Sequence, residues 1–118
     1  MAGENLAPTA TSNYLNWADA ENYCQGQGAH LASVHSAEES NFLTGLTSER
    51  HWLGGTDVAL EGNWVWSDGT AWTFTDWTSG EPNNGAVENC LMKKGTQWND
   101  DQCGKEFKFV CKFINRLP

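Results

Sequence analysis

The chain contains four cysteines, and their number and spacing restrict its fold more than any other feature of the sequence. They are Cys24, Cys90, Cys103 and Cys111, and no two of them form the C-x-x-C pair typical of zinc sites and redox motifs. An even number without such pairs favours two disulfides, which persist mainly outside the cytosol. Four cysteines permit three connectivities, and spacing alone does not choose among them. The sequence therefore predicts a secreted, disulfide-bonded protein.

The length of 118 residues predicts a single domain over residues 1–118, because no linker, repeat or low-complexity tract divides the chain. Seven Trp, five Phe and twelve Gly predict an aromatic-rich core among many turns. The formal net charge of -8 argues against nucleic acid and anionic membranes as partners, since both need a basic surface. No segment approaches the roughly 18 apolar residues that insert into a membrane.

Two helices are predicted in the first half of the chain. Asn16 can cap a helix whose apolar positions follow the helical period and which ends at Gly26 or Gly28. Ser36 and Glu39 stand at capping-box spacing, which predicts a second helix over roughly residues 37–46.

Short strands are predicted mainly after these helices. The patterns that indicate them are HWLGG, NWVWSDG, NCLMKKGTQWND and EFKFVCKFI, and a short apolar run from Leu31 to Val34 lies between the helices. The start of the chain is polar and carries Pro8, so a first strand there is expected to be short, at an edge, or supplied differently. Helices first and strands after is the α+β class. The irregular segment from about 56 to 89 is long enough to suggest a functional loop.

This loop and the strand after it are rich in side-chain oxygens. The donors are Glu81, Asn83, Glu88, Asn99 and Asp100. Hard oxygen donors select calcium over zinc or copper. One oxygen from each of the first four and two from Asp100 make about six, the lower end of calcium's range. A cis bond before Pro82 would turn the carbonyls of Glu81 and Asn83 to one side. The coordination positions of calcium that these oxygens leave open could be filled by water or by two neighbouring hydroxyls of a sugar.

These segments resemble the C-type lectin-like domain family, specifically its carbohydrate-binding members. The similarity runs from about Tyr14 to Phe113 and includes WADAENYC, LASVHSAEESNFL, EGNWVWSDG, GEPN, ENC, WNDDQC and FVC, with WLGGTD in place of the usual W-I-G-L. The resemblance implies an α+β C-type lectin-like fold with two helices, short antiparallel sheets and a long calcium-binding loop region. It also implies two disulfides, Cys24–Cys111 and Cys90–Cys103.

The resemblance further implies a calcium ion that sugar hydroxyls ligate directly. Its E-P-N and W-N-D motifs fall on the five oxygen donors named above. In the family E-P-N accompanies mannose, fucose, glucose and N-acetylglucosamine, whereas Q-P-D accompanies galactose. Each carboxylate accepts from a sugar hydroxyl and each amide donates to one, which selects equatorial 3- and 4-hydroxyls. The expected partners are cell-surface or microbial glycans, and homo-oligomers would supply avidity for a weak single site.

A second calcium ion is common beside the first in this family. Asp57, Glu61, Asn84 and Glu88 match its ligands. Asn89 stands where an acid is usual, which lowers the negative charge available to that ion.

Other functions are weighed against this interpretation. Glu81 and Glu88 resemble a glycosidase pair, but calcium would keep both ionised, whereas a general acid must be protonated. No Ser-His-Asp grouping is apparent from the sequence, so we do not expect an enzyme. The same fold also serves recognition of protein partners and of ice. His30, His35 and His51 are expected in ordinary surface or capping roles, and Trp52, Trp64 and Trp66 in packing.

Overall fold

The structure is a computed structural model that describes residues 9–82 and 88–113. In this part of the chain two helices are followed and flanked by short strands, and the predicted α+β class is confirmed. The elements are β1 Thr9–Ala10, α1 Trp17–Gly26, β2 His30–Leu31, α2 Ala37–Leu46, β3 His51–Thr56, β4 Val65–Trp66, β5 Cys90–Lys94, β6 Gln97–Asp101 and β7 Lys108–Lys112. Neither helix is long and apolar enough to cross a membrane, as far as the described residues go.

Both helices begin at the residues that the sequence predicts. The side chain of Asn16 accepts the Asp19 amide at 2.9 Å at the start of α1. The Ser36 hydroxyl accepts the Glu39 amide at 3.1 Å, and the Glu39 carboxylate accepts the His35 amide at 2.7 Å. These bonds satisfy amides that the first helical turn leaves unpaired. The predicted second helix over residues 37–46 is confirmed.

The strands form one mixed sheet in the order β1-β7-β3-β5-β6, with β2 also paired to β7 and β4 to β3. The described pairs are antiparallel except that of β3 with β7, which is parallel. The expectation of short antiparallel sheets was therefore wrong for this pair. A parallel pair needs a long connection, and here the loop region and the β5–β6 hairpin return the chain to the start of β3.

Consecutive residues of the central strands enter two different apolar clusters. Trp52, Met92 and Phe109 pack with α1 residues, including Cys24, on one face of the sheet. Their chain neighbours on the same strands pack on the other face, with Leu43 of α2 and the tryptophans of the loop region; they are Leu53, Leu91 and Val110. Side chains alternate between the faces of a strand, so each central strand supplies both clusters.

The two disulfides have the pairing that the family resemblance implies. Cys24–Cys111 joins α1 to β7, and Cys90–Cys103 joins β5 to the chain just after β6. The first strand is two residues long and lies at the sheet edge, where Thr9 is opposite Cys111. Of the alternatives that the sequence left open for this strand, the structure shows one that is both short and at an edge.

Candidate metal centre

Three carboxylates converge beside the β5–β6 hairpin. One oxygen from each of Glu81, Glu88 and Asp100 lies within 4.8 Å of the others. Asp100 is buried, whereas Glu81 and Glu88 are partly exposed. Negative charges at such distances repel by about 1 kcal/mol per pair in water and about 4 kcal/mol near a protein surface. A cation among them would offset this repulsion.

Backbone hydrogen bonds bring the chain carrying Glu81 to strand β6. The Trp98 amide donates to the Asp76 carbonyl and the Thr78 amide to the Trp98 carbonyl, both at 2.8 Å. The Glu81 amide then donates to the Thr78 carbonyl at 2.9 Å, closing a turn through Gly80. The Glu81–Pro82 bond is cis, as the sequence suggested.

Strand pairing and a disulfide hold the other two carboxylates. Asp100 lies opposite Leu91 in the β5–β6 hairpin. Glu88 precedes the strand residue Cys90, and Cys90 is bonded to Cys103 just after β6. The sequence-predicted ligands Glu81, Glu88 and Asp100 are thus brought together, whereas Asn83 lies outside the described residues.

Asn99 supplies an independent indication that a cation fits here. It is next to Asp100 on β6, and its side-chain oxygen Oδ1 is buried with no hydrogen-bond partner among the described residues. A buried amide oxygen without a partner loses its hydration without compensation. The carboxylate and amide oxygens of this set are hard donors, so the residues present fit calcium.

A second acidic group lies beside the first. The buried Asp57 carboxylate accepts the Gly62 amide through Oδ2 at 2.8 Å, and its Oδ1 is buried without a hydrogen-bond partner in the described chain. Burial, a hydrogen bond to Asp57 and the negative charges of Asp57 and Asp100 raise the pKa of the Glu61 carboxyl. Asp57 and Glu61 are thus neighbours, while Asn84 lies outside the described residues.

A cluster of tryptophans packs around Trp98 of β6, the strand that also carries Asn99 and Asp100. Trp98 is fully buried and packs edge-on against Trp66, Trp72 and Trp77 at centroid distances of 5.5, 5.7 and 5.7 Å. Trp64 packs edge-on against Trp77 at 5.1 Å. The structural role predicted for Trp64 and Trp66 is consistent with this packing, and Trp72 and Trp77 share it. Trp52 has the predicted structural role in the cluster on the other face of the sheet. This packing holds Trp98 in place, and Trp98 directly precedes Asn99 and Asp100 in β6.

The burial of two polar side chains of the central strands, His51 of β3 and Lys93 of β5, was not predicted from the sequence. His51 was expected in an ordinary surface or capping role, but it is 1% exposed, because its strand HWLGG is buried on both faces. Lys93 is also fully buried, and its ammonium donates to the Ser40 hydroxyl at 3.4 Å. The sequence signal that could have indicated their burial is that both residues lie in strands made mainly of apolar residues.

The structure also brings Ser33, His35 and Asp68 together, although the sequence showed no such grouping. The Ser33 hydroxyl lies 3.1 Å from His35 Nε2 and donates to Asp68. In a catalytic triad the acid orients the imidazole, and the imidazole accepts the serine proton. Here the serine proton is directed at Asp68 itself, so the grouping ties the 67–70 turn to the residues before α2.

Comparisons with known proteins identify the family of the chain. A family model described as Lectin C-type domain matches residues 13–113. A lectin from Pleurodeles waltl is 40% identical over 114 residues, which cover 86% of this chain and 66% of that protein. Among the first three curated relatives that it matches, the chain spans between 19% and 66% of their length.

Solved structures show the same architecture. The herring type II antifreeze protein has a TM-score of 0.85 and 36% identity, with 92% of this chain and 91% of that chain covered. The cow C-type carbohydrate-recognition domain of CD23, solved in the presence of a GlcNAc2Man3 oligosaccharide, has a TM-score of 0.86 and 33% identity. That match covers 93% of this chain and 88% of the other.

Proposed function

The chain belongs to the C-type lectin domain family, and from this premise we propose that it is a calcium-dependent lectin. The observation that carries the proposal is the convergence of Glu81, Glu88 and Asp100, whose oxygens lie within 4.8 Å of one another. The family supports binding of carbohydrate rather than catalysis. A secreted location is part of the same proposal, since the two disulfides are stable mainly outside the cytosol.

The residues of this chain would both hold the ion and recognise the sugar. The ligand set is Glu81, Asn83, Glu88, Asn99 and Asp100. When bound, calcium supplies a positive centre with coordination positions that two sugar hydroxyls can complete. The carboxylates accept the protons of those hydroxyls, while the amides donate to their oxygens. Bonds to charged groups are the stronger ones, so the acids would supply most of the affinity.

We propose that the preferred sugars are of the mannose, fucose, glucose and N-acetylglucosamine type. Support comes from the order Glu81, Pro82, Asn83. In this order the first side chain accepts a hydrogen bond from a sugar hydroxyl and the third donates one. The segment NNGAV between Asn83 and Glu88 also has no aromatic ring to stack on galactose. The ligands expected in nature are cell-surface or microbial glycans.

Exchanging the acid and amide tests this specificity. The double variant Glu81→Gln with Asn83→Asp reverses the donor and acceptor sense while it keeps the shape of the site. We expect its preference to move from mannose towards galactose, with a change of roughly tenfold in the ratio of the two affinities. Competition by free sugars for a mannose-bearing surface measures the ratio. An unchanged ratio would contradict the proposed recognition.

We propose a second, weaker calcium site at Asp57, Glu61, Asn84 and Glu88. The closeness of the Asp57 and Glu61 carboxyl groups supports it. Asn89 in place of an acid lowers the local charge, so the affinity should be below that of the first site. Calcium titration calorimetry of Glu61→Gln should remove one weak binding event and leave the strong one.

Calcium titration and a glycan array together test the main function. The wild type should bind calcium and mannose-type glycans, and chelator should abolish the glycan signal. Glu88→Gln should weaken both, whereas the exposed Glu106→Gln should behave as wild type. Glycan binding that survives chelation, or no calcium binding at all, would refute the proposal.

Ice binding is a second candidate, favoured by the similarity to the herring type II antifreeze protein over 92% of this chain. Thermal hysteresis measured with and without calcium separates it from sugar binding. A third possibility, a protein partner, would be indicated by calcium binding together with an unresponsive glycan array.

A single shallow site that bonds two hydroxyls should bind a monosaccharide with a Kd of about 1 mM. We therefore propose that several copies act together, as multivalent binding raises avidity without new contacts. Sedimentation with and without calcium would measure the number of copies.

A further inference from the structure

A cleft opens between α1 and the two ends of the described chain, and we call it the α1 cleft. Its volume is about 330 Å³, near the lower end of the range for small-molecule sites. It is lined by Tyr23 of α1, by Gln27 at the end of this helix, by residues 11–13, which follow β1, and by Phe113, which follows β7. Strand order places β1 and β6 at opposite borders of the sheet, so the α1 cleft is separate from the candidate metal centre.

The elements around the α1 cleft are fixed to one another. The Cys24–Cys111 disulfide joins α1 directly to β7. The Thr11 amide donates to the Phe109 carbonyl at 3.0 Å, which holds the chain after β1 against the same strand. The Tyr23 ring packs edge-on against the Phe109 ring, with 5.4 Å between their centroids. A ligand would therefore enter a site that already has its shape, which lowers the entropic cost of binding.

The residues that line the α1 cleft are uncharged and amphipathic. Tyr23 and Phe113 are aromatic, whereas Ser12, Asn13 and Gln27 carry exposed polar side chains. These three side chains and the Tyr23 hydroxyl make no hydrogen bond within the part of the chain that the structure describes. None of the described lining residues is charged. Metal ions, phosphates and carboxylates are bound largely by opposite charge, so this set of residues does not suit them.

A neutral sugar ring matches both kinds of lining residue. Its hydroxyls donate and accept hydrogen bonds, as do the amide and hydroxyl side chains of Ser12, Asn13 and Gln27. Its C–H face is apolar and can lie against an aromatic ring such as that of Tyr23 or Phe113. A wholly apolar ligand would instead remove water from the polar side chains without replacing their hydrogen bonds.

We propose that the α1 cleft is a second carbohydrate site, independent of calcium, that takes one neutral hexose unit. The choice of a sugar among neutral polyols rests on the proposed lectin function, whereas the cleft itself does not depend on the calcium site. Without metal coordination the cleft has no requirement for equatorial 3- and 4-hydroxyls, so mannose and galactose should bind with similar affinity. The Kd should lie above the value of about 1 mM expected at the calcium site, because charged acceptors are absent. At this affinity a washed glycan array retains no signal from the α1 cleft and reports the calcium site alone.

Nuclear magnetic resonance in excess chelator tests the α1 cleft while the proposed calcium site is empty. Free mannose or galactose is added to about 100 mM, well above the expected Kd. We expect the amide signals of Asn13 and Gln27 to shift and saturate with both sugars, while those of Asn99 and Asp100 stay unchanged. Glycerol, a polyol without a ring, is the control and should give no saturating shift. No saturating shift with either sugar, or an equal response to glycerol, would overturn the proposal.

Variants of the two walls test whether these residues bind the sugar. Gln27→Ala removes a side-chain hydrogen bond but keeps the bond of the Gln27 amide to the Cys24 carbonyl. We expect the Kd for both sugars to rise roughly fivefold, and Asn13→Ala on the facing chain should act similarly. The exposed Gln102→Ala, outside the cleft, is the matched control and should bind as the wild type does. Wild-type affinity in both Gln27→Ala and Asn13→Ala would show that the sugar lies elsewhere.

The ends of the chain are the alternative occupants, because residues 1–8 and 114–118 directly adjoin the residues that line the α1 cleft. Nuclear Overhauser contacts from either end to the Tyr23 ring would show that the chain fills its own cleft, and would overturn the proposal. Failure of the calcium site is a separate result. A wild type that binds no calcium but shows the saturating shifts at Asn13 and Gln27 would refute the proposed calcium-dependent function and support the second site.

Discussion

At the scale of single residues, Glu21 shows how one buried carboxylate can join separate parts of the fold. Its oxygen Oε2 lies 2.6 Å from His30 Nδ1 and accepts a hydrogen bond from the Gln25 side-chain nitrogen Nε2 at 2.8 Å. Its oxygen Oε1 accepts the Leu31 amide at 3.0 Å and the Ser67 hydroxyl at 2.8 Å. Through these bonds α1 is connected to β2 and to the residue after β4.

Removing this carboxylate should be costly. Glu21→Ala leaves several buried donors without an acceptor, so we expect the free energy of unfolding to fall by about 3 kcal/mol. The exposed neighbouring variant Asn22→Ala should stay within about 0.5 kcal/mol of the wild type. Urea unfolding in chelator measures both. Similar losses in the two variants would show that Glu21 does not connect these elements.

The proposed ligand residues and the buried polar residues of the central strands differed in how far the sequence could predict them. Glu81, Glu88 and Asp100 were identified because family motifs and oxygen chemistry are visible in a linear sequence. His51 and Lys93 were not, because their burial depends on which strands become neighbours. Asp76 is one of many loop acids, and its contact with Ser40 joins residues 36 positions apart. Such contacts are decided by tertiary packing.

At the scale of secondary-structure elements, Gly54 allows β3 to approach two other segments closely. Its amide donates to the Ala32 carbonyl at 2.8 Å, and its carbonyl accepts the Ser67 amide at 2.9 Å. A Cβ at this position would lie 2.5 Å from the Leu31 carbonyl oxygen and 3.0 Å from the Ser67 hydroxyl. Because one of these atoms belongs to backbone, the strands themselves would have to move apart.

Gly54→Ala should therefore destabilise the protein, by about 1–3 kcal/mol. Gly45 provides a matched control, since it lies within α2 and its Cβ would meet nothing within 4 Å. Gly45→Ala should stabilise the protein by about 0.5–1 kcal/mol through better helix propensity. Thermal unfolding of the two variants should thus give shifts of opposite sign. A neutral Gly54→Ala would mean that β2 and β3 can separate easily.

The two disulfides should contribute differently to the candidate site. Replacing Cys90 and Cys103 by Ala opens a separation of 13 residues and should cost about 3 kcal/mol in the chain-entropy model. Calcium affinity should fall as well, because Glu88 and Asp100 flank this bond. Replacing Cys24 and Cys111 opens 87 residues and should cost about 4.7 kcal/mol. In that variant the folded fraction should keep its calcium affinity, as measured by titration calorimetry.

Helix boundaries were predictable and strand partners were not. The first turn of each helix carries its own signal, because the capping side chains of Asn16 and Ser36 act on amides three residues away. The parallel pairing of β3 with β7 joins residues more than 50 positions apart and has no local signature. A short β1 was one of the alternatives left open by the sequence, because Pro8 and polar neighbours limit a ladder there.

At the scale of the whole molecule, calcium should raise stability as well as permit binding. An ion that binds the folded chain alone, at about 100 times its Kd, stabilises it by about 2.7 kcal/mol. For a domain of this size we expect Tm to rise by roughly 10 °C. Differential scanning calorimetry with calcium and with chelator measures the shift, and magnesium in place of calcium is the control. Equal Tm values in all three conditions would contradict an ordered calcium site.

The pairing of Thr9 with Cys111 determines from which side of the sheet a linker or a surface tether would extend. Thr9 lies on the border strand β1 and Cys111 on the adjacent strand β7, and strand order places β6, with Asn99 and Asp100, at the opposite border. Four strand spacings, roughly 19 Å, separate the two borders. A linker or surface tether joined through either end of the described chain would therefore start from the same border. Arrayed copies would then hold the border that carries the proposed calcium ligands Asn99 and Asp100 away from the support.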